Sequence, residues 1–177
     1  TPYTIGAQFD WYHDETIISL SQALDIMLEQ EQFPLLHLDF HALNNCDDDI
    51  FAQVPIFFRA LDRLLIEKQV PFDRVYLVAM HNPVFKAALE MESKINIVYE
   101  ETNNLDDGID KAKAFGFKYI QGKFSILTKE NVQRAHDEGF YVITHRGKTR
   151  WGLGARIEIG VDCIQADGIY TLLDLLD

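Results

Sequence analysis

Residues able to carry proton transfer and phosphate binding recur where short apolar runs end. They are His13 and Asp14, Asp39 and His41, His81, Glu100 and Glu101, Lys123, His145 and Arg146, and Asp167. Histidine titrates near neutrality and suits acid–base work, carboxylates suit a hard divalent cation, and Arg or Lys suits a phosphate oxygen. Asp39 and His41 alternate with Leu38 and Phe40, so in a strand both face one side, and a charged group there needs a partner. The same cluster can instead be structural, with Asp39 paired to an Arg or Lys and each His bonded to a loop. His37 shares the parity of Asp39 but lies deeper, and His136 falls inside a helix, so both are read as structural.

The elements that must position these residues alternate between strand and helix with short connections, which predicts an α/β fold with a parallel sheet. Strands are expected at Tyr3–Tyr12, Leu35–Ala42, Arg74–Met80, Ile95–Glu101, Lys118–Gly122, Phe140–Thr144 and Cys163–Ala166. Each is short and mostly apolar, as burial on both faces requires. Helices are expected between them. Ser19–Glu31 places Leu20, Ala23, Leu24, Met27 and Leu28 on one stripe, and Ile50–Lys68 does so with Val54, Phe57, Phe58, Leu61, Leu64 and Leu65. Thr128 is a plausible cap for a helix closed by a left-handed Gly139. The aspartates of Asn44–Asp49 cap the next helix in preference to binding calcium, because no EF-hand spacing follows. In parallel α/β folds the carboxyl ends of strands share one rim, where active sites converge, so the polar residues above are expected to meet there.

The chain has 177 residues, 47% of them hydrophobic and 25% charged, which suits a single domain, 1–177, and a soluble globular protein. No apolar run approaches the ~18 residues of a membrane span. A net charge of -12 opposes nucleic acid or an anionic membrane as a partner and favours a cation. Cys46 and Cys163 read as small buried hydrophobes, neither a disulfide framework nor a zinc knuckle. A start at Thr1 without Met is compatible with a trimmed product, so cytoplasmic and secreted locations both stay open.

The second half carries LTKENVQRAHDEGFYVITHRGK, then GVDCIQAD and the short helix TLLDLL. This resembles the carboxyl-terminal half of the glycerophosphodiester phosphodiesterase family, TIM-barrel enzymes akin to the phosphatidylinositol phospholipases C, in which "lt...v..ah..Gl.V..WTvN" precedes "GVDgIiTD". Upstream, LLHLDFH resembles the family's "l.iEiK" strand, with Asp39 at its metal-binding Glu and His41 at its Lys. RVYLVAMHNP resembles "v.isSFdp", and SLSQALDIML resembles "PTLeEvLel". The family's first strand, ending in His-Arg-Gly, has no counterpart at the amino end. Residues 6–17 admit two alignments: one makes His13 the second catalytic histidine, the other makes Asp10 a metal-binding acid. The His145-Arg146-Gly147 tripeptide occupies the place of "WTvN", where His145 and Arg146 form a donor pair on the rim; a circular permutation would instead make it the first motif, but no Pro-Glu-Asn turn follows.

The resemblance implies a parallel (β/α) TIM-barrel-like fold of about seven βα units, incomplete at its amino end. It implies a phosphoric diester hydrolase acting on a small-molecule glycerophosphodiester or phospholipid-derived substrate, with Ca²⁺ or Mg²⁺ held by Asp39 and Asp10. His13 and His41 would be general base and acid, with His145, Arg146 or Lys123 at the phosphate oxygens. A degenerate barrel that binds a phosphorylated ligand or protein without hydrolysis is the competing reading. A cyclic-dinucleotide phosphodiesterase, suggested by Gln121-Gly122, lacks its Glu-Ala-Leu and Asp-Asp-Phe-Gly motifs. Open sheet edges would favour a homo-oligomer.

Overall fold

A computed structural model describes residues 18–40 and 48–176. Ser19 opens α1 (Leu20–Leu28) with a capping box: its side chain accepts from Gln22 N, and Gln22 reaches back to the Ser19 amide, so two amides at the helix start are satisfied. Leu24 is fully buried while Leu28 is 38% exposed, so the stripe is narrower than expected. Then follow β1 (Leu36–Asp39), α2 (Asp48–Glu67), β2 (Val75–Ala79), α3 (Asn82–Glu90), β3 (Asn96–Glu101), α4 (Leu105–Phe115), β4 (Tyr119–Lys123), α5 (Lys129–Asp137), β5 (Tyr141–Gly147), α6 (Arg150–Glu158), β6 (Cys163–Ala166) and α7 (Ile169–Leu176). The strand expected at 3–12 and the caps expected within 44–47 lie outside the described residues.

The six strands form one parallel sheet in sequential order, β1 to β6. Sequential parallel order with a helix after each strand curls the sheet as in a (β/α) barrel, and among the described residues no ladder joins β6 back to β1. Among the described residues the barrel is therefore incomplete, as expected. A side-chain hydrogen bond between His37 on β1 and Gln165 on β6 is the contact across that gap. None of the described helices is long and apolar enough to cross a membrane.

Period-two alternation divides the strand residues between two cores. Leu77, Ala79, Ile97, Tyr99, Ile120 and Val142 face the helices and join Phe58, Leu65, Phe85 and Ile109 in the main cluster. Val78, Val98 and Ile143 face the barrel interior, with Tyr76, Tyr119 and Cys163 against them. Inward residues of one parity rise in layers from the amino to the carboxyl ends. Tyr119, Gln121 and Lys123 thus lie in register with Tyr141, Ile143 and His145.

Two local features place the polar rim. Thr128 caps α5 through a capping box with Asn131, and Gly139 follows that helix at φ 83, the left-handed geometry that costs glycine least. The strand after it does not stop at Thr144. β5 runs through His145 and Arg146 to Gly147, with a register irregularity between His145 and Gly147. Hydrophobicity could not extend the strand that far, because its last residues are polar.

Candidate active site

Four strands deliver side chains to one cavity of about 460 Å³ at their carboxyl ends, lined by Asp39, Glu100, His145, Arg146, Gln165, Ala166 and Asp167. Asp39 ends β1, Glu100 comes from β3, His145 and Arg146 from β5, and Gln165 and Ala166 from β6. This is the rim where parallel α/β folds place ligands. A second cavity, about 310 Å³, lies towards the amino ends of the strands among Leu35, Tyr76, Tyr119, Tyr141 and Cys163. His37 and Gln165, joined by their hydrogen bond, divide it from the rim cavity. Its walls are mainly aromatic and aliphatic, so the groups able to do chemistry converge above it.

His145 is central to the rim cavity. Its Nδ1 lies 3.5 Å from Gln121 Nε2 and 4.0 Å from Glu100 Oε1. Burial lowers its pKa, and Arg146 and Arg156 add to this, while Glu100 and Asp39 oppose it. The ring is therefore neutral at pH 7 and able to accept a proton, and its approach to Glu100 is not an ion pair at that pH. Burial also lowers the pKa of His37, against the pull of Asp39. Its Nε2 is buried without a hydrogen-bond partner.

The cavity gathers Asp39, Glu100, His145, Arg146 and Asp167 from the residues singled out in the sequence, and leaves others aside. Lys123 faces inward beside His145 in register but is not among the cavity's lining residues. His81 sits at the start of α3, its ring 5.4 Å from that of Phe51. Glu101 points to the helices: it is 7% exposed and accepts from the amides of Thr102 and Asn103, both at 2.8 Å, and from Lys111. Burial tends to raise its pKa, but these donors outweigh it and hold the carboxyl low. His136 is structural, as read: its Nε2 lies 2.9 Å from Asp162 Oδ2, the oxygen that also accepts from Val142 N at 2.7 Å. His13, His41 and Asp10 lie outside the described residues.

Among the polar cavity residues Gln165 was not chosen from sequence, and Glu100 was named only together with its neighbour Glu101. Strand parity was the available signal. Glu100 shares the parity of Val98 and faces inward, whereas the adjacent Glu101 faces the helices; without the start of β3 the two glutamates could not be told apart. Among the described residues, no group of three or more His, Cys, Asp or Glu could hold a metal ion. Asp39, Glu100 and Asp167 line the cavity without forming such a group, so a cation there would draw much of its shell from water and substrate, as Mg²⁺ commonly does.

No protein-family model matches the sequence, and no curated protein matches it. Solved structures do. A phosphodiesterase from Oleispira antarctica, in complex with the product sn-glycerol-3-phosphate, superposes with a TM-score of 0.76 at 14% identity, over 94% of this chain and 64% of its own. A candidate glycerophosphodiester phosphodiesterase from Galdieria sulphuraria gives 0.75 at 20% identity, over 91% and 64%. A glycerophosphodiester phosphodiesterase from Parabacteroides distasonis ATCC 8503 gives 0.72 at 16% identity, over 92% and 65%. The likeness shows that the chain shares the fold of these phosphodiesterases, and the chain spans less than two thirds of each one's length.

Proposed function

We propose that the chain acts as a glycerophosphodiester phosphodiesterase-like phosphoric diester hydrolase on a small-molecule substrate. The observation that carries this reading is the rim cavity, where a neutral His145 and a cationic Arg146 stand with Asp39 and Glu100 at the carboxyl ends of a barrel-type sheet. Arg146 offers a planar set of donors to the non-bridging phosphate oxygens, whose charge builds as the diester is attacked. His145 takes the proton of the attacking hydroxyl or water, a step its lowered pKa favours at neutral pH. Asp39 and Glu100 accept hydrogen bonds from substrate hydroxyls. Lys123, the register partner of His145, adds positive charge at the cavity's edge, and His13 and His41 are the sequence's candidates for a second acid–base pair. Asp10 is the sequence's candidate to join Asp39 at a divalent cation.

The test is hydrolysis of bis(p-nitrophenyl) phosphate and of a glycerophosphodiester by the full chain, with Ca²⁺, with Mg²⁺ and with EDTA. His145→Ala is expected to lower the rate by roughly 10²- to 10⁴-fold, the range for a lost acid–base group. Asp39→Asn should reduce turnover while the protein stays folded. No hydrolysis in any condition, or equal rates in wild type and both variants, would overturn the reading. The degenerate-barrel alternative predicts binding of sn-glycerol-3-phosphate with no turnover of the diester.

A further inference from the structure

Two consecutive strand residues cannot normally serve one cavity, because successive side chains leave a strand on opposite faces. His145 and Arg146 both line the rim cavity. The exception has a visible cause: Arg146 takes φ 63 within the irregularity of β5, a left-handed conformation unfavourable for a residue with a Cβ. Something must hold it there. The loop end is tied on one side, where Gly147 O accepts from Asp167 N at 2.9 Å and Gly168 N at 3.2 Å.

On the other side stands Arg156 of α6, 6% exposed, its guanidinium 4.3 Å from the centre of the Phe124 ring. Its hydrogen-bond partners are backbone carbonyls. Nη2 donates to Arg146 O at 2.6 Å and to His145 O at 3.3 Å, and Nη1 donates to Gly152 O at 2.6 Å. Nε is buried without a hydrogen-bond partner among the described residues. Burying a guanidinium is costly when, among the described residues, its charge is met by carbonyl dipoles and an aromatic face and by no carboxylate, and burial lowers its pKa. An aliphatic side chain would fill this space without that cost. What an aliphatic residue could not do is grip two successive carbonyls.

We propose that Arg156 is the positioning residue of the rim site: its buried guanidinium holds the His145 and Arg146 carbonyls towards α6, so that both side chains enter the same cavity. Arg156 itself does not line that cavity. The role rests on the phosphodiester reading only for its consequence, the binding of phosphate; the backbone effect stands apart from it.

The experiment uses isotopically labelled full chain and two readouts. The strong intraresidue amide–Hα NOE of a left-handed residue reports the Arg146 backbone, and a titration with inorganic phosphate reports the site. Arg156→Met is expected to lose the Arg146 signature and to weaken phosphate binding about tenfold. Arg156→Lys, which keeps a donor, should be intermediate. In an Arg146→Ala background, Arg156→Met should weaken phosphate binding no further. Arg156→Gln, which retains the aliphatic stem, is read the same way if the methionine variant does not fold. An unchanged Arg146 signature in Arg156→Met or Arg156→Gln overturns the proposal, as does an equal loss of affinity with and without the Arg146 side chain. A wild-type chain that ignores phosphate sinks the phosphodiester reading, while the NOE still decides for or against Arg156.

Discussion

Adding one methyl group at Gly147 tests the packing behind the rim. A Cβ built there would lie 2.3 Å from Leu153 Cδ2 and 3.2 Å from its Cγ, and Leu153 is fully buried. Neither partner yields freely, since Gly147 is pinned by two amides through its carbonyl and Leu153 sits inside α6. Forcing an extra carbon into such a site costs about 1–3 kcal/mol. For a chain of this size each kcal/mol moves Tm by roughly 2–4 °C, so Gly147→Ala should melt about 2–12 °C lower. Gly154→Ala is the internal control. Its added Cβ meets nothing within 4 Å and it lies in the middle of α6, where Ala is preferred over Gly by about 1 kcal/mol. Thermal unfolding of both variants should therefore move in opposite directions. A Gly147→Ala protein as stable as wild type would refute the close packing of β5 against α6.

Stability should also depend on pH through the buried histidines. The pKa values of His37 and His145 are lowered from 6.5, chiefly by burial, so the unfolded chain binds more protons than the folded chain just below that value. Stability is then full above about pH 6.5 and falls as the pH drops below it; urea midpoints that do not change between neutral and acid pH would contradict this, and His37→Asn should flatten the slope. Glu101, held below 4.5, contributes stability that is present above that value and lost as the pH falls further. Glu101→Ala strips the acceptor from two amides and should cost about 2 kcal/mol in denaturant unfolding; no change would mean that water replaces it. If the outer edges of β1 and β6 are left open, copies should associate through them, and a strictly monomeric chain in light scattering would count against that.

The fold was largely legible because apolar periodicity is local. Runs such as Arg74–Met80 and Ile95–Glu101 are buried on both faces, and caps at Thr128 and Gly139 mark where a helix starts and stops. Extents were less legible where strand residues are polar, as at His145–Gly147. The barrel's open side was also expected, from the absence of an amino-terminal His-Arg-Gly strand. The expectation that His81 lies at the rim with Asp39 did not carry into the cavity lining, because His81 begins α3.

By itself the sequence determined the order of elements, the parallel sheet and the rim to which polar residues are delivered, since each follows from short-range pattern and from the handedness of βα connections. It also singled out Asp39, His145, Arg146 and Asp167, and Glu100 as one of a pair with Glu101. Only the tertiary structure decided that Glu100 and not Glu101 faces the cavity, that His37 meets Gln165 across the open side, and that a left-handed Arg146 joins His145 on one face. These depend on strand phase and on contacts between residues far apart in the chain, such as His37 with Gln165. The grip of Arg156 on β5 is of the same kind, for nothing in an isolated helix says which carbonyls its arginine will find.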